Sequence, residues 1–502
     1  AETTIDESNG EIMSRPEFDL LIKGVRVVRP QGNAVHDADI AIAGGKIAKV
    51  APAIDPARAS EVFAGKGRLA FPGVVDAHMH SGIYSPLEED AVSESKAAAM
   101  GGVTSSLNYF RTGQYYLNKG GRYAKFFPEV LRTSKNRFHV DYGYHLAPMD
   151  KTHIDEIPML IEKHGVASFK IFMFYGSHGL HGASDSQREF LMIGKDERYD
   201  VAHFEFVMRG IQAAREKMPE RAKQISLSLH CETAEIMTAY TRIVEKDKSQ
   251  KGLPAYSASR PQHSEGLAVF IASYLAHETA LTNINLLHLS SRKAVQAALM
   301  MADVFPHIDF RREVTIGHLM LDTTSKAAEL AKVNPPIRPR EDVEFLWDAL
   351  LAGELDWVVS DHACCRHEMK IPKRYFGNIW MAKSGFGGTE YLLPALVSEG
   401  TRRGMSYNHM ARVTSWNPAQ RFGLNRKGDI AEGFDADIAL VDPACTWTIA
   451  AKDSPSTQGY TPFEGLEMSA RVDVTFLRGM KIFEDGQVIG KPRGQYLHRP
   501  TS

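Results

Sequence analysis

Eight times between residues 71 and 425, a short apolar run is followed by a longer stretch with helical patterning. The runs lie near 71–76, 103–108, 137–145, 167–172, 226–230, 284–288, 310–315 and 356–360. The stretches between them include "EEDAVSESKAAAMGG", "HFEFVMRGIQAAREKM", "EGLAVFIASYLAHETA", "SRKAVQAALMMADVF" and "EDVEFLWDALLAGEL". Continuous apolar runs suit strands covered on both faces, and their alternation with helices suits a parallel sheet. Eight such units in about 350 residues predict an α/β fold, a (β/α)8 TIM barrel. The rival is a doubly wound open sheet. No glycine-rich dinucleotide motif follows an early strand, which weakens it.

The flanks have a different texture. "FDLLIKGVRVV", "ADIAIAGGKIAKV" and "RLAFPG" alternate in strand fashion between glycines, and so do "KGDIAEGFDADIALVD" and "VDVTFLRGMKIFEDGQVIG". Chain ends often lie close together, so the two flanks can complete one small β-sandwich domain. The predicted organisation is a disordered or extended arm (1–18), a β-sandwich domain (19–70 plus 426–490), the barrel (71–425) and a C-terminal tail (491–502). A net charge of -2 gives no basic footprint for nucleic acid or an anionic membrane. The apolar runs are too short for a membrane span. The polar, acidic N-terminal stretch has no signal-peptide core. Four cysteines (Cys231, Cys364, Cys365 and Cys445) make no disulfide framework in a chain of 502 residues. A reducing cytoplasm is the expected compartment.

In a TIM barrel the chemistry sits at the C-terminal ends of the strands. The first run leads into "VVDAHMHSG", where Asp76, His78 and His80 share one face of an extended chain. The fourth, "ASFKIFMFY", carries Lys170 inside an apolar run. The fifth, "ISLSLHCET", ends in His230, and the sixth, "INLLHLSS", in His288. The eighth, "LDWVVSDHA", ends in Asp361, followed by His362. Singly, each has an ordinary reading: a histidine held by hydrogen bonds, an aspartate capping a turn, an edge-strand lysine. Lys170 fits that reading least, because burying it between "SF" and "IFMF" without a partner or a modification is costly. Four histidines, one lysine and one aspartate at one end of separate strands argue together for a divalent-metal site. Asp76 lies one step deeper and is expected to support rather than to bind. His362 is expected to orient Asp361 or to cap the chain there rather than to bind a metal. His178, His181, His263, His277, His318 and His367 are assigned to structure or loops. His145, at the end of the third run, stays open.

"FPGVVDAHMH", "KAAAMGGVTS", "SFKIFMFY", "HCET", "LLHLSS", "KVNPPIRPREDVEFLWDAL" and "VVSDHA" carry a family resemblance. So do "NPAQRFGL" with "KGDIAEGFDADIALVDP", and "FEGLEMSARVDVTFLRGMKIFEDGQ". With these, the chain resembles the cyclic amidohydrolases of the amidohydrolase superfamily. It is most similar to the dihydropyrimidinase/hydantoinase group, with allantoinase and dihydroorotase as cousins. The resemblance implies a TIM barrel with a β-sandwich from both chain ends, and a centre of two divalent metal ions. Zinc is the first expectation, with manganese or cobalt as alternatives. His78, His80 and Asp361 would hold the more buried ion and His230 and His288 the second. Lys170, carboxylated by carbon dioxide to N6-carboxylysine, would bridge both. A metal-bridging hydroxide would attack the ring carbonyl of a small-molecule cyclic amide, imide or ureide. Asp361 would carry the proton to the leaving nitrogen. Tyr175 would hydrogen-bond the oxyanion, and Tyr175, Asn334 and Ser384 would border the substrate ring. Tyr175 also reads as a plain aromatic in "FMFYG", and Asn334 as a turn residue before Pro335. The family commonly forms homo-oligomers, tetramer or dimer. An allantoinase-like enzyme and a hydrolase of xenobiotic aryl-substituted cyclic amides are the alternatives. Of another class is a non-catalytic dihydropyrimidinase-related scaffold, against which the six filled ligand positions argue.

The match departs from the family at a few positions. Dihydroorotases usually carry arginine two residues after the second histidine, where this chain has Gly82; that points away from a carboxylated ring. Asn334 stands where dihydropyrimidinases usually have serine. Ser384, in "SGFGGTE", stands where they have asparagine. Cys364 and Cys365 fit no subgroup's pattern. Segments 111–127 and 176–200 are expected to be lids or oligomer contacts at the barrel mouth. Tyr84, Tyr115, Tyr116 and Phe174 offer aromatic surface there, or pack structurally.

Overall fold

At Gly73 the chain changes sheets. In the computed structural model, which describes residues 15–502, Leu69–Pro72 is a strand of one sheet and Val74–Met79 opens another. The Gly73 N–H donates to the Asp437 carbonyl at 2.7 Å, and the Val74 N–H to the Gly102 carbonyl at 3.0 Å. A Cβ on residue 73 would fall 2.1 Å from the Thr104 hydroxyl, so this corner admits only glycine. The first barrel strand therefore starts at Val74, not at residue 71 as the apolar run suggests.

The other seven barrel strands are Val103–Phe110, Asp141–Leu146, Ser168–Phe172, Ser226–His230, Asn283–Leu286, Asp309–Thr315 and Trp357–Val359. They follow one another in sequence order, parallel throughout. The eighth closes on the first through a parallel bridge between Met79 and His362 and the His80 N–H to His362 carbonyl bond of 2.8 Å. This is the expected TIM barrel. The third strand begins at Asp141 rather than near 137, because the Phe138 carbonyl is taken by the Gly494 N–H at 2.9 Å. The expected helices lie between the strands as Leu87–Met100, Val201–Lys217, Gln262–Glu278, Arg292–Val304 and Arg340–Leu351. The segment expected as loop up to residue 127 already turns helical at Tyr123, where Tyr123, Phe126, Phe127 and Val130 bury one helical face.

The remaining long sheet has nine strands drawn from both chain ends. Leu69–Pro72 joins them, parallel to Phe18–Val27 on one side and antiparallel to Ile438–Asp442 on the other. Ile22, Val25, Ile40, Ile438, Leu440 and Phe476 share its core. Of the expected arm, residues 1–14 lie outside the described residues, and Phe18 already belongs to a strand. Within the expected tail, residues 494–501 run against the barrel. Buried Arg499 donates to the Ser168 hydroxyl at 2.8 Å, and the Leu497 N–H to the Tyr142 carbonyl at 2.7 Å. No helix among the described residues is long and apolar enough to cross a membrane.

Candidate metal centre

Strand alternation puts His78 and, two residues on, His80 on one face. His78 Nε2 and His80 Nε2 are 3.2 Å apart, and Asp361 Oδ1 lies 3.0 and 3.1 Å from them. Three donor atoms converging on one point can hold a cation between them. A tetrahedral ion with bonds of about 2.0–2.1 Å spaces its ligand atoms about 3.3 Å apart, close to what is seen. The outward nitrogens are also engaged. His78 Nδ1 lies 2.7 Å from Glu313 Oε1, and His80 Nδ1 lies 2.8 Å from the Tyr116 hydroxyl. Such outer partners fix the ring so that Nε2 faces inward. Buried Glu313 also accepts the His288 backbone N–H and the Trp357 indole N–H, both at 3.0 Å.

His230 and His288 stand beside this group without joining its three-atom convergence. Their ring centroids are 4.3 Å apart, and that of His288 is 5.4 Å from His78. His230 Nε2 lies 2.6 Å from Glu232 Oε1, and Arg260 grips the same carboxylate at 2.6 and 2.9 Å. That leaves Nδ1 of His230 for a ligand role. His288 Nδ1 is buried without a partner among the described residues. Lys170 is buried as well. Its Nζ stands 4.2 Å from the ring centroids of both Tyr109 and Phe172.

Burial sets the protonation states. It pushes Lys170 down to about 7, although Asp361 and Glu313 pull the other way. It holds His80 near about 3 and His230 near about 4. For Asp361 burial opposes ionisation, but the His78 imidazole overrides it and the carboxyl lies well below its usual range. His78 is the exception: although burial opposes its charged form, Asp361 and Glu313 raise it. It must therefore give up its proton to join the neutral His80 and His230 and the ionised Asp361 as the donor set a divalent ion requires. His288 (φ 31°) and Asp361 (φ 54°) also hold left-handed backbone, which costs roughly 1–2 kcal/mol per residue. Strain of this kind gathers at functional sites.

Tyr175, Asn334 and Ser384 line the pocket that also holds His80, Lys170, His230, His288 and Asp361, with Tyr84, Tyr116, Phe172 and Phe174 as its aromatic wall. The Tyr175 hydroxyl accepts from Arg111 Nη2 at 3.1 Å. Asn334 accepts from the Tyr256 hydroxyl and donates to the Leu180 carbonyl at 2.6 Å. The Ser384 carbonyl accepts from the Tyr84 hydroxyl, and its N–H donates to His181 Nδ1 at 3.1 Å. The Tyr115 hydroxyl lies 2.9 Å from His181 Nε2. Segments 111–122 and 176–200 thus meet over the mouth. Gly82 has φ 87°, and a Cβ there would sit 3.0 Å from Leu87 Cβ, so glycine answers a backbone demand at this position.

Several polar residues near the centre brace it. Asp76 accepts from the Ser360 N–H at 3.2 Å, the Ser360 hydroxyl at 2.5 Å and the Thr389 hydroxyl at 2.8 Å. His362 Nε2 lies 2.8 Å from Glu94, while Nδ1 accepts the N–H groups of Gly388 and Thr389 at 2.9 and 3.1 Å. These bonds fasten the loop that presents Asp361. Cys364 lies against Asp90 and Glu94, and Glu94 is already filled by His362, Ser93 and Ser456. His145 is part of the barrel interior: its ring stacks 4.0 Å from Tyr109 and its Nε2 lies 2.8 Å from the Ala77 carbonyl.

Sequence reasoning missed Glu313, Glu232 and Arg111. Glu232 was readable, since it follows His230 at the same two-residue spacing that marked His78 and His80. Glu313 had a weaker signal, a carboxylate inside the strand "REVTI" rather than at its end. Arg111 had none, because its partners are distant in sequence. Glu313→Gln is expected to weaken metal binding about 10–100-fold, as loss of an outer carboxylate does. Competition against a fluorescent zinc chelator measures this, and unchanged affinity would remove Glu313 from the site.

The chain is similar to known proteins over most of its length. The model of the amidohydrolase family matches residues 69–482. An allantoinase from Rubrobacter xylanophilus is 32% identical over 488 residues, covering 96% of this chain and 97% of that protein. An allantoinase from Escherichia coli O9:H4 is 30% identical over 491 residues, covering 96% and 98%. The crystal structure of dihydropyrimidinase from Brevibacillus agri NCHU1002 matches with a TM-score of 0.80 at 24% identity, over 95% of this chain and 98% of that one. That structure supports the fold, while the family model and the allantoinases extend over barrel and flanking sheet alike. The chain belongs to the amidohydrolase family.

Proposed function

We propose that this chain is a metal-dependent hydrolase that opens a cyclic amide, imide or ureide at a C–N bond. The observation that carries this reading is the convergence of His78 Nε2, His80 Nε2 and Asp361 Oδ1 at the floor of an aromatic pocket. His78, His80 and Asp361 would hold one ion, His230 and His288 a second, and Lys170, as N6-carboxylysine, both. Two divalent ions so bound supply a hydroxide nucleophile at neutral pH and polarise the carbonyl under attack. Zinc suits the imidazole and carboxylate donors, with manganese or cobalt as alternatives. A lysine held near about 7 keeps a share of neutral amine, the form that reacts with carbon dioxide.

The chain's own residues do the rest. Asp361 carries a proton to the nitrogen that leaves when the ring opens. The Tyr175 hydroxyl donates to the oxygen that gains negative charge. Asn334 and Ser384 border the ring. Tyr84, Tyr116, Phe172 and Phe174 keep water away from it. The two allantoinases favour a ureide such as allantoin as a second, narrower reading. Exposed Phe206, Ile243, Phe270, Tyr274, Met300 and Val304, all on outer helices, fit a homo-oligomer, tetramer or dimer. The cytoplasm remains the compartment we assign.

The test is metal analysis followed by a substrate panel. The purified protein is expected to hold close to two equivalents of divalent metal and to lose ring opening on chelation. Zinc, manganese or cobalt in bicarbonate should restore it. The panel is allantoin, hydantoin, dihydrouracil, dihydroorotate and a cyclic imide, with dihydroorotate opened slowest. Less than one equivalent of metal, with no ring opened after reconstitution, would reject the reading.

A further inference from the structure

Arg111 directly follows the second barrel strand and is fully buried next to the pocket, without lining it. Its Nη1 donates to the carbonyls of Thr112 at 3.0 Å and Gln114 at 2.8 Å, and its Nη2 to the Tyr175 hydroxyl at 3.1 Å. Its Nε has no partner among the described residues. The guanidinium carbon stands 5.0, 5.1, 5.5 and 5.9 Å from the ring centroids of Tyr175, Phe190, Tyr116 and Phe172. Aromatic faces and carbonyls surround it, and no carboxylate among the described residues pairs with it. A cation taken out of water with only such partners is costly, and it acts through a low-dielectric medium that screens it little.

We infer that Arg111 is a positioning residue that aims and strengthens the oxyanion donor Tyr175. The phenol oxygen accepts from a cationic N–H, so its own O–H must point elsewhere, and Tyr175 is one of the residues that line the pocket. The positive charge behind the oxygen polarises the O–H and makes it a stronger donor to a developing negative charge. The ring itself is fixed, stacked 4.9 Å from Phe172 and tilted 4.4 Å from Phe174. The dipole is therefore oriented before substrate arrives, which is the condition for electrostatic stabilisation at little reorganisation cost. No proton changes hands: Arg111 and Tyr175 each keep theirs. This inference rests on the reading of Tyr175 given above.

The test is a double-mutant cycle on the metal-loaded enzyme, using whichever of allantoin, hydantoin and dihydrouracil the wild type opens fastest. Arg111→Met, Arg111→Gln and Arg111→Lys are each made alone and together with Tyr175→Phe. Metal content and thermal midpoint are measured for every variant. With Tyr175 present, R111M and R111Q are expected to lower kcat about 10–100-fold with KM within about threefold, and R111K to stay within about fivefold of wild type. With Tyr175→Phe, the same substitutions should change kcat less than about threefold, because the hydroxyl through which Arg111 acts is gone. If R111M does not fold, the R111Q and R111K pair still separates charge from packing. Equal losses in both backgrounds, or an R111Q enzyme with wild-type kcat, would overturn the inference while leaving the hydrolase reading intact. A fully active Tyr175→Phe enzyme would overturn the inference together with the oxyanion role of Tyr175, and a metal-loaded wild type that opens no ring of the whole panel would overturn the hydrolase reading as well.

Discussion

Lys170→Ala is expected to abolish ring opening and to leave at most one equivalent of metal on the protein. Lys170 sits on the fourth barrel strand with its amine among Tyr109, Phe172 and the histidine cluster. Neither a hydrogen bond nor an ion pair among the described residues satisfies that amine, so the bare side chain is the least comfortable group in the site. Attack of its lone pair on carbon dioxide, with loss of one proton, makes a carbamate with two anionic oxygen positions. In the proposed centre that carbamate would supply an oxygen ligand to both ions in place of a buried cation beside them. Alanine leaves five ligands and no bridge. The fall in kcat should be at least about 10⁴-fold, since a bound ion pair supplies both the nucleophile and the polarisation of the carbonyl. Acetate or propionate, entering the space the side chain vacates, should restore a small part of the activity together with the second metal. Elemental analysis and kcat in bicarbonate buffer are the measurements. A Lys170→Ala enzyme with two metals and full activity would show that another residue bridges the ions.

Asp361→Asn should cost about 10³–10⁴ in kcat while leaving KM near its wild-type value. Asparagine keeps the shape and one carbonyl oxygen. It cannot take up a proton and hand it on. His78 and His80 lean on the carboxylate at 3.0 and 3.1 Å, so metal affinity should fall as well, and kcat must be read in excess zinc. If D361N, shown to be fully metal-loaded, turned over like wild type, proton transfer would have to be reassigned. Cys364 and His362 are poor substitutes. Both are buried and turned toward Glu94 rather than toward the pocket.

The barrel was legible because most of its strands are short, largely apolar runs between amphipathic helices, even though Asp309–Thr315 carries charged residues. His78 and His80 were legible because a period of two survives any uncertainty about where a strand begins. The edges were not. "FPGVVD" reads as one strand, and only the Thr104 side chain packed where a Cβ would stand shows why it is two. Phe138 reads as strand until Gly494, more than three hundred residues later, takes its carbonyl. The same holds inside the site. Ligands at strand ends announce themselves by type and place. The groups that hold them, Glu313 on His78 and Arg111 on Tyr175, acquire their meaning from contacts 235 and 64 residues apart. Local patterns carry no information at that range.

The stretch from Gly494 to Thr501 has a consequence for the order of events during synthesis. Arg499 reaches Ser168, which lies two residues before Lys170 on the same strand and faces the same way. A ribosome that has made every ligand, Asp361 included, has still not made the segment that underpins the lysine strand. The contacts that seal this rim of the barrel can therefore form only after translation has passed residue 501.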